Sequence, residues 1–136
     1  MAEPTNWRDG VNVVRATSLQ GARATAFDFS GAGGRETWIG TVTLPPAAKT
    51  GTHHHGSHEV AIYVDRGRTE IRWGERLEFA ANVGPGDFVY FAPHVPHQEL
   101  NLSASEPVDF VVVRSDKERI AVPIDVPPVD RPETVC

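Results

Sequence analysis

Six histidines occur in this chain, and all fall between residues 53 and 97: His53, His54, His55, His58, His94 and His97. Imidazole is the side chain that most often ligates transition metals, because its neutral ring offers a nitrogen lone pair near pH 7. The six form two groups far apart in sequence, each beside an expected strand. Imidazoles converging from two strand edges are how a β-barrel holds a transition metal in its mouth.

Local patterning says which rings can meet. In an extended chain alternate side chains share a face, so His53 and His55 point together and His54 points away. Gly56 and Ser57 suit a kink, after which Val60 to Val64 reads as a strand entering a core. The second group follows a turn at Gly84-Pro85-Gly86-Asp87 and a strand, and Pro93 and Pro96 make a rigid loop that fixes His97.

The elements that must position these rings are strands. Eleven prolines and twelve glycines interrupt short stretches rich in Val, Ile, Phe, Thr and Tyr, the pattern of a small all-β barrel or sandwich. Strands are expected over Val11–Arg15, Arg23–Phe29, Glu36–Leu44, Glu59–Val64, Arg68–Trp73, Arg76–Ala80, Asp87–Phe91, Gln98–Asn101 and Val108–Arg114. Gly74-Glu75 reads as a hairpin turn between Trp73 and Arg76. No segment sustains a 3.6-residue period, so helix is expected to be scarce. Residues 1–10 read as a loose start, 11–121 as the β-domain and 122–136 as an arm. That arm is too dense in proline for a central strand, and should lie extended on the surface or on a partner subunit.

Bulk properties narrow the function classes. A chain of 136 residues is one domain with room for a proper core. With 40% hydrophobic and 23% charged residues it is globular. A net charge of −5 with scattered basic residues argues against nucleic acid. No apolar run approaches the roughly 20 residues that span a bilayer, and the first residues lack the features of a secretory signal, so a cytoplasmic protein is expected. The single cysteine, Cys136, excludes an internal disulfide.

Taken together, the two histidine stretches resemble the paired motifs of a single-domain cupin. The first motif, His-x-His, then Glu, then a turn-closing Gly, is matched by His53, His55, Glu59 and Gly67. The second, Pro-Gly-Asp, a strand, a Pro-rich turn, His and later Asn, is matched by Pro85-Gly86-Asp87, His97 and Asn101. The resemblance implies an all-β fold, the cupin-type double-stranded β-helix or jelly-roll barrel, with a metal ion in its mouth. Departures bear on the ligand set. Seven residues rather than six separate Glu59 from Gly67, which puts Val60 in the usual Glu slot. Strand alternation from Val60, Ile62 and Val64 then points His58 inward and Glu59 outward unless a bulge intervenes. The set read from this is His53, His55, His58 and His97, with Glu59 as the alternative to His58. His94 stands where the family usually has Gly. The tract 53–59, with Tyr63-Val64, Gly67-Arg68 and Trp73 to Glu78, further resembles the small zinc-binding cupin cyclases of aromatic polyketide pathways, of the resistomycin type.

Four imidazoles without a carboxylate point to Zn(II), a redox-inert Lewis acid, ahead of Fe(II) or Ni(II). The activity this resemblance implies is cyclisation and aromatisation of a polyketide intermediate by aldol condensation, in secondary metabolism. The metal would polarise one carbonyl and acidify the neighbouring methylene, a metal-bound hydroxide, Glu59 or His94 would take the proton, and the barrel would fix the fold of the substrate. An Fe- or Ni-dependent dioxygenase is the alternative if Glu59 ligates, and a non-catalytic metal- or small-ligand-binding cupin is the other. A sugar isomerase is less attractive, for want of a basic cluster placed to grip a phosphate. The expected partners are a small polyketide or aromatic molecule and a second copy in a homodimer, not nucleic acid or membrane.

Plainer roles are expected elsewhere. His54 reads as a rim residue, and Asn101 either orients His97 or closes its strand. Gln98 or Glu99 could line the cavity. Trp38, Tyr63, Trp73, Phe79 and Phe91 read as core, a subset of them forming a wall for a flat substrate. Arg66, Arg68, Arg72 and Arg76 read as a solvated hairpin surface.

Overall fold

A computed structural model describes residues 7–8, 11–12, 15, 19, 21–27, 37–115 and 121–136. Its strands are β1 (Trp7–Arg8), β2 (Val11–Asn12), β3 (Arg23–Phe27), β4 (Trp38–Leu44), β5 (His53–His54), β6 (Val60–Arg66), β7 (Thr69–Trp73), β8 (Phe79–Val83), β9 (Phe88–Phe91), β10 (His97–Leu100), β11 (Val108–Arg114), β12 (Val122–Pro123) and β13 (Glu133–Thr134). Among the described residues there is no helix, hence none long and apolar enough to cross a membrane.

Two sheets make the barrel. One has the order β3-β4-β11-β6-β9 and the other β12-β5-β10-β7-β8-β13, while β1 and β2 pair with each other. Period-two patterning explains their facing. Val60, Ile62 and Val64 of β6 and Val108, Phe110 and Val112 of β11 are buried, and their strand neighbours are half-exposed. Ile71 and Val83 join this cluster from the opposite sheet. Each such burial contributes roughly 1.5–3 kcal/mol relative to exposure, so the inner rows dominate over the two-residue edge strands.

The expected strands recur with shifted ends. β11 spans the residues foreseen, and β6 and β7 differ by one or two positions. The expected strand 11–15 is described as strand only at Val11–Asn12, and Arg15 is outside any strand. Val13, Val14, Asp28, Phe29 and Glu36, expected in strands, lie outside the described residues.

The largest shift is β8. Arg76–Ala80 was the expected span, after a two-residue turn. Instead Trp73 pairs with Phe79, which leaves a loop at 74–78. Leu77 closes it, buried at 2% exposure with φ of 51°, its N–H donating to Gly74 O at 3.1 Å. Anchoring of Leu77 in the core therefore overrides the short turn.

The proline-rich arm supplies β12 and β13, which sit at opposite edges of the six-stranded sheet. Edge positions tolerate proline because one face of the backbone needs no ladder partner. They also cover strand edges that would otherwise be open to pairing.

Candidate metal centre

β10 is the strand that organises the site. Its first residue, His97, is the direct register partner of His53 on β5 and of Trp73 on β7. His55 follows His53 two residues on and returns to the same face. The three rings cluster, with centroids 4.4 Å apart for His53 and His97, 4.9 Å for His53 and His55, and 5.0 Å for His55 and His97. One ring nitrogen from each lies within 4.8 Å of the other two. His97 and His55 are buried and His53 is half-buried.

Hydrogen bonds orient two of these rings. His53 Nδ1 donates to Gly51 O at 2.8 Å, and His97 Nδ1 donates to Val95 O at 3.0 Å. Carbonyl oxygens only accept, so the proton sits on Nδ1 and Nε2 keeps its lone pair. Fixing the tautomer this way is the usual support for a metal-ligating imidazole. Phe91 stacks on His97 at 4.0 Å and 21° and holds the ring plane.

The electrostatics agree with this arrangement. Burial pushes His97 down to about 3, against the hydrogen bond to Val95 and with help from the neighbouring imidazoles. His53 is also lowered, chiefly by burial and further by Arg114 and His54. Both rings are thus neutral near pH 7, as ligation requires. His97 Nε2 is buried without a hydrogen-bond partner. Leaving such an atom unsatisfied costs about 1–3 kcal/mol, and a cation is the partner that would remove that cost. By donor type, spacing, tautomer and the orphaned nitrogen, these residues fit a divalent transition metal.

The structure does not bring the fourth candidate to this cluster. His58 lies beyond a turn in which Gly56 adopts φ of 64° and His58 N donates to His55 O at 3.2 Å. Its Nδ1 is instead 3.4 Å from Ser115 Oγ. Alternation holds from Val60 onward, where the strand begins, and does not extend back through residues 57–59. Glu59 is exposed; it accepts the Tyr90 hydroxyl at 2.7 Å and does not line the cavity.

Among the described residues lining the cavity the one carboxylate is Glu99, on the same face of β10 as His97. Its Oε2 is 3.5 Å from His97 Nε2. Burial raises Glu99 to about 7, with Arg23 pulling the other way.

His94 is exposed, with φ of 64°, and its ring packs edge-on to His54 at 5.5 Å. These two rings form a rim pair outside the cluster. Asn101 closes its strand rather than touching His97. It is buried at 2% exposure, and Nδ2 reaches Leu44 O, Pro45 O and Glu106 O at 3.2, 3.0 and 2.8 Å.

The three histidines open on a cavity of about 270 Å³ between the sheets, walled by Val42, Val60, Ile62, Phe91, Phe110 and Val112. Of the aromatic residues considered for a substrate wall, Phe91 lines this space. Trp73 lines, with Phe91, a separate apolar cavity of about 400 Å³. Trp38 is core, and Tyr63 packs on Phe88 at the outer face. Two charged lining residues were not foreseen, Arg23 and Arg114. Arg114 was legible in principle, because it continues the inward parity of Val108, Phe110 and Val112. Of the hairpin arginines, Arg66 pairs with Asp109 at 2.8 Å and Arg72 pairs with Glu70.

Comparisons with known proteins fit this architecture. The cupin domain family matches residues 40–114, more than half of the chain. No curated protein sequence matches. Among solved structures, the polyketide cyclase RemF from Streptomyces resistomycificus superposes with a TM-score of 0.70 at 17% identity, over 90% of this chain and 89% of its own. A cupin 2 domain-containing protein from Halorhodospira halophila gives 0.63 at 28% identity, over 75% of this chain and 69% of its own. An oxalate oxidase gives 0.62 at 15% identity, over 90% of this chain and 68% of its own. At identities of 17% and 15% the cyclase and the oxidase speak to the fold, not to the reaction. Motif spacing, double-sheet barrel and family match agree: the chain belongs to the cupin family.

Proposed function

We propose that this cupin is a metal-dependent enzyme that cyclises a β-keto substrate by aldol condensation, in the biosynthesis of an aromatic natural product. The observation carrying the reading is the buried Nε2 of His97, which makes no hydrogen bond and sits in a cluster with ring nitrogens of His53 and His55. His53, His55 and His97 would hold the ion, Zn(II) in the first instance. When bound, the metal supplies Lewis acidity, polarising a carbonyl oxygen and lowering the barrier to enolisation.

The chain's own residues supply the rest. The Nδ1 hydrogen bonds of His53 and His97 hold both rings at the cavity wall with the proton on Nδ1. Val60, Ile62, Phe91 and Val112 exclude water from the reacting carbons. Glu99 Oε2, beside His97, is placed to accept the methylene proton and return it to the leaving hydroxyl. That is the role first considered for Glu59 and His94, both of which point elsewhere. A cavity of about 270 Å³ sits near the lower end of ligand sites, roughly 300–1,000 Å³. It takes the reacting segment of a polyketide rather than an entire long chain.

The same Glu99 favours a second reading. Three histidines with one carboxylate are a donor set that also suits Fe(II) or Ni(II), and so a cupin dioxygenase. One experiment separates the two. Zinc-loaded protein is incubated with an acyl β-ketothioester in D₂O and methylene exchange is followed by NMR. The cyclase reading expects exchange that disappears in His55→Ala, without oxygen uptake. Oxygen consumption by the iron-loaded protein, with no exchange by the zinc form, would replace that reading with the second.

A single cysteine in 136 residues suits a reducing cytoplasm. The outer face of the five-stranded sheet carries Ile39, Val113, Ala61 and Tyr90 in one row and Thr41, Val111, Tyr63 and Phe88 in the next. Phe88 and Tyr90 are 76% and 58% exposed. That face is our candidate for the homodimer contact.

A further inference from the structure

The inner row of β11 runs Val108, Phe110, Val112 and Arg114, three apolar side chains followed by a guanidinium, all buried. Arg114 is 5% exposed and lines the histidine cavity. Its charge is felt at His53. Arg23, exposed at the start of β3, lines the same cavity and acts on Glu99. Among the described lining residues Glu99 is the one carboxylate set against these two cations. A divalent ion held by the histidines would add two positive charges to the cavity that Arg114 borders. Such a space favours an anion and penalises a neutral occupant.

We infer that Arg114 anchors an anionic oxygen group of the substrate, a carboxylate or an enolate, whose second oxygen lies toward the three imidazoles. The inference rests on the metal-site reading and names the chemical class of its substrate. The guanidinium suits the task by shape. Its planar fork matches two oxygens of one group, and its five N–H donors let it keep contacts within the fold while gripping a ligand. Position fits as well, since Arg114 and His53 border one cavity of about 270 Å³, a space for a group of a few heavy atoms. An enolate forming there would gather charge beside a fixed cation, which is stabilisation available without rearrangement.

The test is a titration of cobalt(II)-loaded protein with malonate, a compact dianion with a 1,3 pair of oxygen groups, followed by visible absorption. Neutral malonamide is the shape-matched control. Cobalt uptake, read before any anion is added, reports on the metal site alone. Arg114→Met is expected to weaken malonate at least about tenfold and to leave malonamide nearly unchanged. Arg114→Lys keeps the charge, loses the fork, and is expected to fall between. It also carries the comparison by itself if the methionine variant does not fold. Calorimetry on metal-free protein separates the two claims, because malonate binding that still depends on Arg114 supports the anchor even where cobalt is not held. Malonate affinity unaltered in both variants overturns the inference, as does wild-type protein that takes up cobalt and binds no malonate.

Discussion

Replacing His97 with leucine should remove metal binding while leaving the metal-free fold at least as firm as before. In the metal-free protein the buried Nε2 of His97 makes no hydrogen bond, with the Glu99 carboxyl 3.5 Å away, a cost of about 1–3 kcal/mol. Leucine removes that cost and keeps apolar contact with Phe91, whose ring stacks on His97 at 4.0 Å. Against this, the bond from Nδ1 to Val95 O is lost, worth about 0.5–1.5 kcal/mol. The balance lies between near neutrality and a gain of about 2 kcal/mol. For a domain of this size 1 kcal/mol moves the melting temperature by roughly 3–5 °C. Zinc at a hundred times its dissociation constant adds about 2.7 kcal/mol to a protein that binds it, or roughly 8–13 °C. Differential scanning calorimetry, with chelator and then with zinc, reads both numbers. Wild type should rise with zinc and His97→Leu should not, while the two metal-free proteins melt within a few degrees or with the variant higher. A metal-free His97→Leu melting more than about 10 °C below wild type would mean that the ring is a structural element, and the reasoning would fail. A wild type indifferent to zinc would defeat it equally.

Other expectations follow from the same geometry. His53→Ala and His55→Ala should lose the metal-dependent rise, whereas His54→Ala, His58→Ala and Glu59→Gln should retain it, because the last three side chains lie outside the cluster; metal content per chain checks this. In metal-free Glu99→Gln, stability should fall by on the order of 2 kcal/mol between pH 7.5 and 5, since His97 sits at about 3 folded against 6.5 unfolded and the unfolded chain gains the proton first. Wild type should show a flatter profile, because Glu99, raised to about 7 from 4.5, stabilises the fold as pH drops toward 4.5; urea midpoints at both pH values decide it. The proposed homodimer is checked by size-exclusion chromatography with light scattering. Tyr90→Lys should shift the protein to monomer, and a wild-type monomer at micromolar concentration would contradict the proposal.

Much of this site was legible because strand periodicity is a local rule. His53 and His55 share a face by alternation, and the proline-rich loop before His97 delivers that ring to the register position opposite His53. The same rule misled where it was carried through a turn: Gly56 reverses the chain, so His58 does not inherit the parity of Val60. It also went unused where it would have helped. Glu99 is two residues from His97, and Arg114 continues the row of Val108 to Val112, so both were readable as inward-facing. Other features had no sequence signal of this kind. Leu77 anchors the loop at 74–78 through tertiary burial, and Asn101 gathers three carbonyls, those of Leu44, Pro45 and nearby Glu106.

The central claim is that imidazoles from β5, the turn after it and β10 close on one cation. The most direct measurement is the transition-metal content of protein purified without an immobilised-metal column, before and after equilibration with zinc and iron. The account expects one tightly held ion per chain in wild type, displaced only by strong chelators, and none in His97→Leu. Wild-type protein that carries no ion as purified and takes up neither metal would contradict it.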